Sequence, residues 1–86
     1  MKTATFIKTI DGWRSDARLY SLSEPLDGHD NVIVSAVVAT FSGPETYIFA
    51  ATRDGECVDF GELDGSFRGG LDHERALKSA GYGVVT

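Results

Sequence analysis

His73, set between Asp72 and Glu74, is the residue whose surroundings most resemble an acid–base site. A neighbouring carboxylate favours the imidazolium and orients the ring. No nucleophile is placed to use it, and a histidine in the first turn of a helix is ordinarily a solvent-exposed ring; His29, in a polar stretch, has the same plain reading. Arg68, followed by Gly69 and Gly70 and lying just ahead of a helix start, has the composition of an anion cradle. An ion pair with one of the nearby acids is the simpler role for it. Asp59, Glu62 and Asp64 fall within six residues and have oxygens suited to a hard cation, but not the spacing of an EF-hand loop. The same carboxylates suit a surface that imitates DNA phosphates, or a solvated face that keeps a small protein apart from its neighbours. Trp13 and Arg14, just after the Asp11-Gly12 turn, are of the types most enriched at binding hot spots. The indole is either folded back over a sheet or presented to a partner.

Chemistry needing more groups than these is excluded. Two histidines and the single Cys57 fall short of a Cys/His zinc site. The phosphate-binding, dinucleotide-binding, zinc-protease and serine-nucleophile signatures are all missing. No metal, cofactor or catalytic residue is therefore expected. The formal charge of −5 argues against binding to a phosphate backbone, which needs clustered lysine and arginine. That charge is local: residues 54–74 carry seven acids against Arg68 alone. The longest apolar run, about residues 32–39, is far short of the ~20 residues of a membrane helix. A lone cysteine and no secretory leader suit the cytoplasm.

The elements that must position these groups are short. The 86 residues make one domain, 1–86, of α+β class: an antiparallel sheet of four to five strands with one C-terminal helix on one face. Strands are expected at about 3–10, 16–22, 32–41, 46–52 and 56–60, with residues 24–31 a loop between the second and third. Residues 32–41 are apolar on both faces and read as the central strand. One short helix covers only one face, so a homodimer through the sheet is expected. Asp54-Gly55 reads as a two-residue hairpin turn that sets Thr52 opposite Cys57, Ala51 opposite Val58 and Phe49 opposite Phe60. In that register Tyr47, Phe49, Ala51, Val58 and Phe60 form the core face, and Cys57 is an accessible thiol on the other. Tyr20 and Tyr47 are assigned to the core. Residues 61–70 hold four glycines and form a structured loop, whose plainer purpose is to turn the chain from the last strand into the helix.

The helix is expected at about 72–80, with Asp72 as N-cap, Leu71 stapled onto Ala76, Glu74 paired with Lys78, and Gly81 as the stop with Tyr82 folded back towards Leu77. Ala76, Leu77 and Ala80 are its docking stripe. Residues 82–86 suit either a short edge strand or irregular chain.

Val34-Ser35-Ala36, Ser42-Gly43-Pro44-Glu45-Thr46-Tyr47 and Gly70-Leu71-Asp72-His73-Glu74-Arg75 resemble a family of small uncharacterised proteins of actinobacteria and their phages, over about residues 10–82. The resemblance implies a bacterial or phage-encoded cytoplasmic setting and carries over no catalytic residue. Three functions remain open. The first is a non-enzymatic interaction protein contacting its partner through Trp13 and Arg14. The second is an anion or nucleotide sensor or enzyme using Arg68, Gly69, Gly70 and His73. The third is an acidic inhibitor of a nucleic-acid-binding protein using Asp59, Glu62 and Asp64.

Overall fold

Runs of β-branched and aromatic residues punctuated by Asp-Gly turns dictate a sheet, and the computed structural model has one. It describes residues 2–13, 15–39, 41, 43–59 and 61–85. The elements in chain order are β1 (Thr3–Ile10), β2 (Asp16–Leu26), β3 (His29–Ala39), β4 (Gly43–Ala51), β5 (Cys57–Asp59), β6 (Phe67–Arg68), α1 (His73–Ser79) and β7 (Gly83–Val85). The α+β class holds, with seven strands among the described residues rather than four or five. The added strands, β6 and β7, are two and three residues long, too short to leave a periodic signal.

The strand order is β5-β4-β3-β2-β1-β7, with β6 also on β4, so the doubly apolar β3 lies inside the sheet as its sequence requires. β7 closes one edge by pairing parallel to β1. At the other edge, residues 57–59, 63 and 67–69 line up in turn along β4 as one interrupted strand. β5 pairs with Ala50 and Ala51, the Leu63 amide donates to the Ile48 carbonyl at 2.9 Å, and β6 pairs with Glu45 and Thr46. The glycine-rich loop is an excursion out of that strand, and it tucks Leu63 against the core beneath the helix.

Two turns differ from the sequence reading. Residues 24–31 are a tight hairpin and not an open loop: Asp27 (φ 51) and Gly28 (φ 82) are both left-handed, and Leu26 faces His29. Pro25 is tolerated because the ladder slips between Ser21 and Leu26, so its missing N–H costs no strand bond. The β4–β5 turn is one residue longer than expected. Thr52 donates its amide to the Glu56 carbonyl at 2.8 Å, Gly55 takes φ 93, and Ala51 faces Cys57, not Val58. A one-residue slip reverses the side chains it carries, and here it is taken back by Asp59, which faces Ala50 as in the expected register. Cys57 therefore joins Ala51, half-buried. Phe60 lies outside the described residues.

Both faces of the sheet are cored. On one, α1 covers Tyr20, Val32, Val34 and Ile48, with Ala76, Leu77 and Tyr82 inserted. The helix thus sits on the Ile48 side of β4, opposite the Phe49 side expected to be the main core. It crosses there because the chain must travel from β6, beside β4, to β7, beside β1. The other face buries Ala17, Leu19, Ile33 and Ala51 under Ile10, Trp13 and Cys57. The sheet curls to close over them: a Cβ placed on Gly55, at the β4–β5 turn, would lie 2.8 Å from Ile10 Cδ1 and 3.3 Å from Lys8 Cε. Ile33 is 0 % exposed within one chain. The covering layer that motivated a homodimer through the sheet is supplied by the chain itself.

The helix ends follow the sequence. Asp72 Oδ1 accepts from the Arg75 amide at 3.0 Å. At the other end Gly81 (φ 97) donates to Lys78 O and Tyr82 to Leu77 O, each at 2.9 Å, closing a Schellman motif. Leu71, expected to staple onto Ala76, is instead half exposed. No described ion pair joins Glu74 to Lys78.

Candidate functional site

The β1–β2 connection folds back over the curled face and carries Trp13 with it. The indole packs on Phe49, centroids 6.0 Å apart at 41°, and Phe49 stacks on Tyr47 at 5.9 Å. Ser15 Oγ and Ser35 Oγ, 2.6 Å apart, pin the same loop to β3. Of the two roles open to Trp13, the folded-back one is the one observed: the ring is a half-buried cover of the second core. Arg14 lies outside the described residues. Tyr47, assigned to the core, is only partly covered.

Arg68 continues this row, its guanidinium 5.9 Å from the Tyr47 ring centre. Its Nε donates to Glu45 Oε2 at 2.6 Å, and Nη2 lies 3.6 Å from Glu62 Oε1. Glu45 is held below the usual carboxylate range by the hydrogen bond from Tyr47 and, after it, by Arg68. Arg68 is thus occupied by two carboxylates.

His73 is on the opposite side of the sheet. The helix docks it into a buried position where Nε2 stands 2.7 Å from the Asp16 carbonyl oxygen and 3.9 Å from Asp16 Oδ2. The exposed first-turn ring expected from sequence is a tertiary strut. Arg18 pairs with Asp16 at 2.9 Å and reaches the Tyr20 hydroxyl, so Asp16, Arg18, Tyr20 and His73 form one polar seam between β2 and the helix start. Nothing in the spacing of these residues announced that seam; strand register and helix docking created it.

The anion pocket is therefore not assembled. β6 turns Arg68 towards the curled face, whereas His73 belongs to the helix face. The amides an anion needs are also engaged: Gly69 N donates to Pro44 O at 2.8 Å, and Asp72 N to Thr46 Oγ1 at 3.1 Å. Gly70 gives its carbonyl to Thr46 Oγ1 at 2.9 Å. Asp59, Glu62 and Asp64 are exposed along the interrupted edge strand, where Asp59 accepts from the Gly61 amide at 2.8 Å and Glu62 leans on Arg68. Glu62 and Asp64 share a shallow depression with Asp27, brought in by the β2–β3 turn. No group of three or more metal-ligating side chains converges among the described residues.

Sequence reasoning missed the most exposed apolar group among the described residues. Phe41, read as the end of the central strand, stands at the tip of the β3–β4 hairpin and is 100 % exposed. Val38, opposite Pro44 on the helix face, is 67 % exposed. Leu71 is 51 % exposed and lies at the same end, between Gly70 and Asp72, which both bond Thr46 Oγ1. The one available signal was Gly43-Pro44 directly after the apolar run, which moves the turn back onto Phe41. Among the described residues no helix is long and apolar enough to cross a membrane. No family model, curated protein or solved structure matches this chain, so its function must be argued from its own geometry.

Proposed function

We propose that this chain is a non-enzymatic interaction protein, encoded by an actinobacterium or its phage and acting in the cytoplasm, and that the β3–β4 hairpin tip is its contact surface. The observation that carries the reading is the fully exposed Phe41 at the hairpin tip, with the exposed Val38 on the strand leading into it and the exposed Leu71 beside Thr46 further along β4. Burying a phenylalanine is worth roughly 1.5–3 kcal/mol, so a tip that withholds one from its own core has that much to give to a partner. A second support is the disposition of the candidate catalytic groups: His73 is a buried strut and Arg68 is neutralised by Glu45 and Glu62.

The test is affinity capture from an actinobacterial lysate with the wild-type chain, Phe41→Asp and Trp13→Ala. Phe41→Asp leaves stability within about 0.5 kcal/mol, as expected of an exposed site, so loss of a captured protein reports contact and not unfolding. A partner retained equally by Phe41→Asp, or no partner at all, refutes the tip. A partner lost only with Trp13→Ala moves the surface to the curled face.

A further inference from the structure

The two edges of the sheet are built differently. On the β4 side the edge is broken into β5 and β6, three and two residues long, with exposed Asp59, Glu62 and Asp64 along the excursion between them. Short, charged, interrupted strands are how sheets avoid pairing with other chains. On the β1 side, β7 covers only Thr3, Ala4 and Thr5. From Phe6 onward the outer edge of β1 has no strand partner among the described residues. Half of the backbone N–H and C=O groups there point away from β2. Phe6 is 39 % exposed and Ile7 44 %, with Val85 45 % exposed at the end of β7. Ile7 is the bulge residue, outside the β1–β2 register. The Gly55 turn nears the side chains of Lys8 and Ile10 from the curled face, which centres the open register on Phe6, Ile7 and Lys8.

Charge selects what fits. Residues 1–10 carry Lys2 and Lys8 and no acid, in a chain of net charge −5. Lys8 is exposed and makes no ion pair among the described residues. A second copy added antiparallel about Lys8 would set two lysines face to face, which is unfavourable. We infer that the β1 edge accepts, by strand addition, an extended segment of another protein in which carboxylates alternate with apolar residues. Main-chain bonds to β1 supply affinity, Phe6, Ile7 and Val85 anchor the apolar positions, and Lys8 meets a carboxylate. This surface is separate from the hairpin tip, and its test does not depend on the tip.

The experiment selects binders from a displayed library of random linear peptides and maps them by amide chemical shifts on the full chain. The expected peptides are rich in aspartate and glutamate alternating with apolar residues. They move the amides of residues 3–10 and 83–85 and lose about tenfold in affinity with Lys8→Glu, roughly one close charge pair. Val58→Glu, on the opposite edge, and Phe41→Asp, at the tip, leave that affinity unchanged. An empty selection, peptides without acidic enrichment, or shifts confined to residues 36–46 overturns the inference. So does concentration-dependent broadening of the β1 amides in the protein alone, which would mean that a second copy occupies the edge.

Discussion

Replacing Gly65 by alanine separates a structural from a functional reading of the glycine-rich loop. Gly65 holds φ 102, and a Cβ there would run into the Ala76 carbonyl oxygen while lying 2.9 Å from both Ala80 Cβ and Ile48 Cδ1. The excursion is wedged between β4 and the helix, so neither side can yield without opening the core. The left-handed backbone alone costs an alanine about 1–2 kcal/mol, and overpacking adds roughly 1–3 kcal/mol, for a sum of about 2–5 kcal/mol. Gly69 is the matched control: its φ is 99, but a Cβ there meets nothing within 4 Å. Gly69→Ala therefore isolates the backbone cost. A domain of this size loses about 4–8 °C of Tm per kcal/mol. Thermal unfolding followed by circular dichroism should show Gly69→Ala down by about 4–16 °C. Gly65→Ala should fall a further amount of about 4–24 °C, from the roughly 1–3 kcal/mol of added overpacking, or lose its cooperative transition, since total stabilities run only about 5–15 kcal/mol. Equal losses in the two variants would refute the wedge and return the loop to solvent, where a ligand-binding role would again be open.

Two further outcomes follow from the tyrosines and the cysteine. Burial raises the Tyr82 phenol and, as its largest cause, that of Tyr20, while a hydrogen bond to Glu45 raises Tyr47. Phenols that ionise more easily in the unfolded chain contribute stability that is complete below the unfolded pKa, about 10, and is lost as pH climbs through the folded values. Urea midpoints should accordingly drop above about pH 10; Tyr82→Phe should flatten that drop and cost about 1 kcal/mol at neutral pH by removing the 2.8 Å bond to the Glu24 carbonyl. A midpoint independent of pH from 9 to 11 (a range about the usual phenol pKa) would contradict it. Cys57 has its thiol pushed up by burial, and its Sγ lies 3.3 Å from the Asp59 carbonyl. A disulfide reagent at about pH 8, close to the free thiol pKa, should modify the folded protein several-fold more slowly than the urea-unfolded chain, and equal rates would show an open thiol.

Local signals were read correctly wherever a residue's own chemistry decides its conformation. Asp72 caps the helix because its carboxylate reaches the third amide of the first turn, and Gly81 ends it because only glycine enters the left-handed region freely. β3 is central because a strand apolar on both faces has no solvent side. Turn length was not legible in the same way. Asp54-Gly55 suits a two-residue turn as well as the observed three-residue one, and the difference of one residue moved Cys57 across the sheet. Leu71 and Phe41 illustrate a related gap: both look like packing residues, yet the chain leaves them outside.

The sequence by itself determined the class, the central strand, the helix with its caps, and the absence of any familiar catalytic signature, because each follows from contacts within a few residues or from composition. Only the tertiary structure decided the rest. His73 met Asp16 across 57 residues, Arg68 met Glu45 across 23, and Tyr82 met Glu24 across 58. Such distances are closed by strand order and by the helix crossing from one edge of the sheet to the other, which depend on how every strand sums its packing. For the same reason the sequence shows two lysines near one end and seven acids in the middle, but only the fold shows Lys8 on the β1 side of the sheet and Asp59, Glu62 and Asp64 along its β4 edge.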